Sequence, residues 1–259
     1  MFKELKNKRV LVVGSYRGIG KSIVDNYLNE GSIVYAADIR FDAKKYPKLT
    51  KINDHYYRIH VDVRNEKEII DLAKYMDAHH IVPEIVIHVA GISTLDYMLE
   101  SKTSDFYRNF DTNTCGFYFV AKYFGRLLVK HHIPGKIIVV DSQSGKNGYR
   151  FEASYCGSKH AILGILRVLA LEIAKYHINV NAICPGIIET AMKHRERRDA
   201  ARIRHTTPEA IKKEDISQVP LGRTGQPQDV ANIALFLGSH LSDYMTGQAI
   251  NITGGMTMH

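Results

Sequence analysis

Seven short apolar runs, rich in valine, isoleucine and alanine, punctuate the 259-residue chain, and longer stretches of helical periodicity separate them. The runs are Arg9–Val13, Ile33–Ala37, Tyr57–Val61, Ile85–Val89, Lys136–Val140, Asn179–Ile183 and Ala249–Ile252. Helical spacing fills Ile19–Leu28, Glu66–His79, Asp105–Val129 and Ser154–Lys175. A run that is apolar at consecutive positions, such as Val10-Leu11-Val12-Val13, suits a strand buried on both faces. Strands of that kind joined by crossover helices make a parallel sheet covered on each side. The spacing therefore predicts an α/β fold: one doubly wound Rossmann sheet of about seven strands, with residues 1–259 as a single domain. The polar, charge-dense segment 189–219 reads as a mobile substrate lid rather than a second domain.

Composition narrows the partners. No run of 18 apolar residues is present, so no membrane span is expected. The start, Met1-Phe2-Lys3-Glu4-Leu5-Lys6, lacks the apolar core of a secretory signal, and a cytoplasmic location is expected. Cys115, Cys156 and Cys184 lack any CxxC or Cys/His spacing and read as reduced thiols, with no metal expected. The formal charge of +8 raises the question of nucleic acid, but no basic-aromatic interleaving accompanies it, and no such partner is expected. Eight lysines and arginines fall between Lys193 and Lys213. They form either a solvated helix face or, with one or two turned inward, an anchor for a substrate phosphate or carboxylate.

The first strand runs into Gly14-Ser15-Tyr16-Arg17-Gly18-Ile19-Gly20 and then into a helix. Glycines there permit a tight turn and let backbone approach a pyrophosphate at the helix N-terminus. Asp38 ends the second strand, 18 residues beyond Gly20. A carboxylate at that place accepts from the adenosine ribose hydroxyls and repels a 2′-phosphate, which favours NAD(H). Arg17 and Arg40 pull toward NADP, the less expected cofactor. Asp62-Val63 follows the third strand, where an adenine edge would lie.

Tyr155 and Lys159 are four residues apart on one helical segment and share a face. A cation beside the phenol, with a positive nicotinamide ring, favours phenolate and makes Tyr155 a proton carrier near neutral pH. Ser142 ends the fifth strand, at the sheet edge where ligands bind in open α/β folds, and its hydroxyl can hold a substrate oxygen. Gln143 beside it could meet a second substrate hydroxyl or merely stabilise a turn. Asn113 sits within the long helix and its carbonyl could hold a water linking Lys159 to solvent.

Together these residues resemble the short-chain dehydrogenase/reductase family along nearly the whole chain. The family's TGxxxGxG turn is similar to Val13-Gly14-Ser15-Tyr16-Arg17-Gly18-Ile19-Gly20, and its Asn-Ser-Tyr-Lys tetrad falls on Asn113, Ser142, Tyr155 and Lys159. Its Pro-Gly turn is Pro185-Gly186. Thr190 then matches the hydroxyl that holds the nicotinamide carboxamide, with the Ile188 backbone beside it. Gly247-Gln248 and Gly254-Gly255 also fit. Two departures are Val13 for the first threonine and His88-Val89-Ala90-Gly91 for Asn-Asn-Ala-Gly; Ala90 and Gly91 keep the backbone near the cofactor, and His88 reads as structural. The resemblance implies hydride exchange between NAD(H) and a secondary alcohol or ketone. Its motifs look most like enzymes of polyols, sugar-alcohol phosphates and vicinal diols. An NADPH-dependent ketoacyl reductase and a non-catalytic nucleotide sensor are the alternatives. The resemblance also implies a homotetramer or homodimer paired through the helices bearing Phe117, Phe119, Ile165, Leu166 and Leu169.

Overall fold

A computed structural model describes residues 2–259. Its eight strands are β1 (Arg9–Val13), β2 (Ile33–Asp38), β3 (Thr50–Asn53), β4 (Tyr56–His60), β5 (Ile85–His88), β6 (Gly135–Val140), β7 (Ile178–Pro185) and β8 (Ala249–Ile252). They form one sheet in the order β3-β4-β2-β1-β5-β6-β7-β8. Seven strands are parallel and correspond to the seven apolar runs; β3 pairs antiparallel with β4. The expected count of about seven falls one short, because Thr50-Lys51-Ile52-Asn53 is a polar, largely exposed edge strand without an apolar run.

The helices are α1 (Gly18–Asn29), α2 (Glu66–Ala78), α3 (Thr103–Asn109), α4 (Gly116–Lys130), α5 (Ala153–Ile173), α6 (Ala191–Ile203), α7 (Pro208–Ser217) and α8 (Pro227–Gly238). The stretch expected as one helix over Asp105–Val129 is α3 and α4 joined by a π-helical turn at Phe110–Cys115. Such turns widen the helix by one residue and cluster at functional positions.

Alternate strand residues point to opposite faces, so the sheet carries two cores. On one face Phe117, Phe124, Leu128, Ile162 and Leu166 pack over Val86, Ile137, Val139 and Val180. On the other, Ile23, Tyr27, Val230 and Leu237 cover Val10, Val12, Val34 and Ile87. The buried Tyr27 hydroxyl donates to the Ala234 carbonyl at 2.8 Å, which satisfies its one polar atom. Phe117 and Leu166, expected at a subunit contact, belong to the core; Phe119, Ile165 and Leu169 are half-buried against it. Tyr118, Val168 and Leu171 are the apolar residues of α4 and α5 that face outward.

The chain leaves β1 toward β2 on one side and returns at β5 on the other. At that reversal the loops beyond the carboxyl ends of β1 and β5 part, and a ligand crevice forms there. Among the described residues no helix is long and apolar enough to cross a membrane.

Candidate active site

The crevice at the reversal is a cleft of about 430 Å³ whose lining includes Gly14, Tyr16, Arg17, Gly18, Ile19, Gly20, Asp38, Asp62, Val63, Ala90, Gly91 and Thr190. Gly14 has φ +88°, and a Cβ there would collide with the Ala90 backbone nitrogen. A Cβ at Gly20 would collide with the Gly14 carbonyl. The two glycines therefore let β1, the β5 loop and the start of α1 close on one another, leaving backbone exposed to the cleft. That is the cradle a pyrophosphate requires. Ser15 is buried and its hydroxyl donates to Ala37 O at 3.1 Å, so it braces the turn.

Asp38 accepts the backbone N–H groups of Tyr16 and Arg40, each at 3.0 Å. These bonds fix its carboxylate at the cleft, whose lining it joins. Around it stand Arg17, Arg40 and Arg195; burial, then Arg40 and Arg195, lower the Arg17 pKa. The Arg40 guanidinium also lies 5.6 Å from the Tyr16 ring centroid. Asp62 is held by Arg64, with Nη2 at 2.6 Å from the carboxylate, and both it and Val63 line the cleft. Gly186 follows β7, and its N–H donates to Ile252 O at 3.0 Å. A Cβ at Gly186 would stand 3.0 Å from Thr253 Cα, so the Pro185-Gly186 turn is a close packing point. Ile188 is buried and bridges to Gly225, while Thr190 caps α6 by accepting from Lys193 N at 3.2 Å.

The proton-handling candidates converge beside this cleft. Lys159 Nζ lies 5.8 Å from the Tyr155 ring centroid and donates to Val140 O at 3.1 Å. Burial holds the Tyr155 phenol well above its ordinary pKa; Glu196, Glu152 and Asp141 add to the rise, and a hydrogen bond with Ser142 opposes it. Without a cofactor's positive ring beside it, the phenol is thus held toward its protonated form by burial and the neighbouring acidic groups. Asn113 is fully buried. Its amide accepts from Ile92 N at 2.8 Å and donates to Ile92 O and Ser158 Oγ, both at 2.9 Å. The bond pattern makes it a brace between the π-helical turn, the loop after β5 and α5. His88 is buried and neutral, its pKa pushed down to about 3 by burial, and it packs on Phe117.

Gln143 follows Ser142 and turns toward the C-terminal segment. Its side chain is buried, and its carbonyl accepts from Thr257 Oγ1 at 3.4 Å, against the C-terminal segment. Sequence reading missed the acidic groups that stand near Tyr155. Ser144 Oγ donates to Glu152 Oε2 at 3.0 Å, and Glu196 reaches toward the same region from α6. The local signal for Glu152 was weak, a lone acid three residues before Tyr155.

Segment 189–219 is mostly two helices, α6 and α7. Arg197 is buried at 4% exposure. It donates to both Glu189 oxygens at 2.7 and 2.8 Å and to Asp215 Oδ2 at 2.7 Å. Lys193 stands 3.5 Å from Asp215 and 3.7 Å from Glu196. Arg204 pairs with Glu214, and Arg195, which lines the cleft, donates to Ser93 O. In a segment so basic in sequence, Lys193, Arg197 and Arg204 are thus matched by carboxylates, whereas Arg195 reaches the cleft with a backbone carbonyl as its partner.

A family model described as enoyl-(acyl carrier protein) reductase matches residues 13–257. This chain belongs to the short-chain dehydrogenase/reductase family. Among relatives of this short-chain dehydrogenase/reductase, the sorbitol-6-phosphate 2-dehydrogenase of Escherichia coli is 30% identical over 258 residues, covering 97% of this chain and 99% of its own. A 3-oxoacyl-(acyl-carrier-protein) reductase of Chlamydia pneumoniae is 32% identical over 256 residues, covering 98% of each chain. The galactitol 2-dehydrogenase of Agrobacterium fabrum is also 32% identical over 256 residues, covering 98% of this chain and 99% of its own. The crystal structure of sorbitol-6-phosphate 2-dehydrogenase from Erwinia amylovora superposes with a TM-score of 0.89 at 28% identity, covering 97% of this chain and 100% of that one.

Proposed function

We propose that this short-chain dehydrogenase/reductase interconverts an uncharged polyol, or vicinal diol, and its ketone with NAD(H). The observation that carries the reading is the convergence of Ser142, Tyr155 and Lys159 beside a cleft built to admit a dinucleotide. The nicotinamide supplies the hydride chemistry when bound. Ser142 orients the substrate oxygen, and Tyr155 Oη gives up or takes the substrate proton. Lys159, at the Tyr155 ring, stabilises charge on that oxygen. Asn113 keeps the β5 loop and α5 in register. Thr190, Gly186 and the Ile188 backbone hold the carboxamide end, and Asp38 holds the ribose.

Two tests follow from the geometry. Asp38→Ser removes the carboxylate that repels a 2′-phosphate and leaves Arg17, Arg40 and Arg195 in place. The ratio of kcat/KM for NADP+ to that for NAD+ should rise at least about tenfold, a free-energy change near 1.4 kcal/mol. Initial rates with each cofactor measure it, and a ratio that stays fixed removes Asp38 from cofactor choice. The guanidinium trio favours a second reading, NADPH-linked reduction of a carrier-bound ketoacyl group, which a wild-type preference for NADPH would support.

The second test concerns charge on the substrate. Arg197 and Lys193 are already matched by Glu189, Asp215 and Glu196, so an incoming phosphate meets no free inward cation on these two side chains. We expect kcat/KM for sorbitol or galactitol to exceed that for sorbitol 6-phosphate by about tenfold or more. A preference for the phosphate ester would overturn the uncharged-substrate reading. In the cell the same reading places the enzyme in the cytoplasm, as a homotetramer or homodimer joined through the outward faces of α4 and α5. Segment 189–219 closes over the substrate.

A further inference from the structure

The reaction proposed above leaves one buried carboxylate without a task. Asp141 follows β6 and precedes Ser142, and its side chain is 0% exposed. Its Oδ1 has no hydrogen-bond partner among the described residues and stands 3.8 Å from Lys159 Nζ. That separation makes a charge pair without a hydrogen bond. Its Oδ2 faces the Cys184 thiol at 3.9 Å. Gly145 makes the room: a Cβ there would collide with Asp141 Oδ2. A buried carboxylate left partly unbonded is unfavourable, and a neutral side chain would fill this space without that cost.

The groups facing Asp141 come from two elements: Lys159 and His160 on α5, and Cys184 on β7, with the Ser142 backbone N–H alongside. His160 is exposed, so water screens it. Lys159 is buried at its side and is the same ammonium that lies at the Tyr155 ring. Tyr155 in turn faces Ser142, Glu152 at the start of α5, and Glu196 on α6.

We propose that Asp141 is a positioning residue that offsets the ammonium charge of Lys159 beside Tyr155, so that at neutral pH the tyrosine works as a proton donor, in the direction of ketone reduction. The proposal rests on the reading of Tyr155 and Lys159 as the proton-handling pair. Burial raises the Asp141 carboxyl to about 7, with Lys159 pulling the other way. Below that pH Asp141 is neutral and Lys159 acts unopposed. Above it the carboxylate is charged, so its opposition to Lys159 is greatest where the phenol would otherwise begin to ionise. Its effect reaches the substrate only through Lys159 and Tyr155.

Asp141→Asn keeps the shape and removes the charge. In the pH profile of kcat/KM for alcohol oxidation, the rise above about pH 7, where Asp141 is charged, should come about one unit earlier in the variant, an oxidation rate about tenfold higher on that limb, while the two profiles coincide below it. The KM for NAD+ should stay within about twofold. Ultraviolet difference titration of the NAD+-bound protein, with Tyr155→Phe subtracted, should show the same displacement of the phenol and needs no turnover. A limb and a titration that do not move, or that move toward alkali, overturn the proposal; the alkaline shift would make Asp141 the counter-ion that keeps Lys159 charged. If Asp141→Asn does not fold, Asp141→Ser carries the same measurements. Full activity in Tyr155→Phe would instead sink the reading of the proton-handling pair, which separates the two failures.

Discussion

Replacing Tyr155 with phenylalanine should lower kcat for alcohol oxidation about 1,000-fold while NAD+ affinity stays within about threefold. A positioned acid or base contributes roughly 10²–10⁴ to rate, and this phenol is the group placed to exchange the substrate proton. The ring itself is retained, so packing beside Ser142 and the Lys159 ammonium, 5.8 Å from the ring centroid, is preserved. Affinity should survive because the cradle of Gly14, Gly18 and Gly20 and the carboxylate of Asp38 lie elsewhere along the cleft. Stopped-flow turnover and fluorescence titration of NADH measure the two quantities separately. A drop in both together would mean that the substitution damages the site rather than its chemistry. A fall of less than about tenfold would move the proton to another group.

Arg197→Met should have the largest effect on stability. The guanidinium is buried between Glu189 and Asp215, and Thr224 Oγ1 also donates to Glu189, at 2.7 Å. Removing one partner of a buried ion pair leaves carboxylates uncompensated, at a cost of about 3 kcal/mol. That corresponds to roughly 100-fold faster amide exchange across α6 and α7 if the segment opens locally. Activity should fall with it, because Thr190 caps α6 and lines the cleft. Unchanged exchange would show that this network carries no net stability.

The network also fixes an acid limit. Hydrogen bonds from Arg197 hold the Glu189 carboxyl down to about 2, from an ordinary value of 4.5. A lowered folded-state pKa adds stability that is complete above the ordinary carboxylate range and fades as pH falls toward the lowered value. Protection of α6 should therefore hold from neutrality to about pH 4.5 and decline from there toward about pH 2.

The parallel sheet was legible because its central strands, such as Val10–Val13 and Ile137–Val140, are apolar on consecutive residues, a pattern that burial on two faces explains. β3 was not, since an edge strand of Thr, Lys, Ile and Asn has nothing to bury. The π-helical turn escaped for a different reason: one extra residue hardly disturbs apolar spacing over a helix as long as Asp105–Val129. Tyr155 and Lys159 could be read together because a single helix turn joins them. Asp141, Glu152 and Glu196 could not, for each matters through a side chain brought near by the fold rather than by sequence. Arg197 shows the same limit. In sequence it adds to an excess of positive charge; in space it is the neutralised centre of the segment.

β3 has a consequence outside the active site. An open sheet exposes unpaired backbone at its margins, and a flat apolar margin invites pairing with another chain. Here the margin is a four-residue antiparallel strand bearing Lys51, whose ammonium meets Asp54. Five strand spacings, about 24 Å, separate it from β6 and Ser142. Resistance to aggregation and turnover therefore draw on separate parts of one sheet, its margin and its middle, and either could change in evolution while the other is left alone.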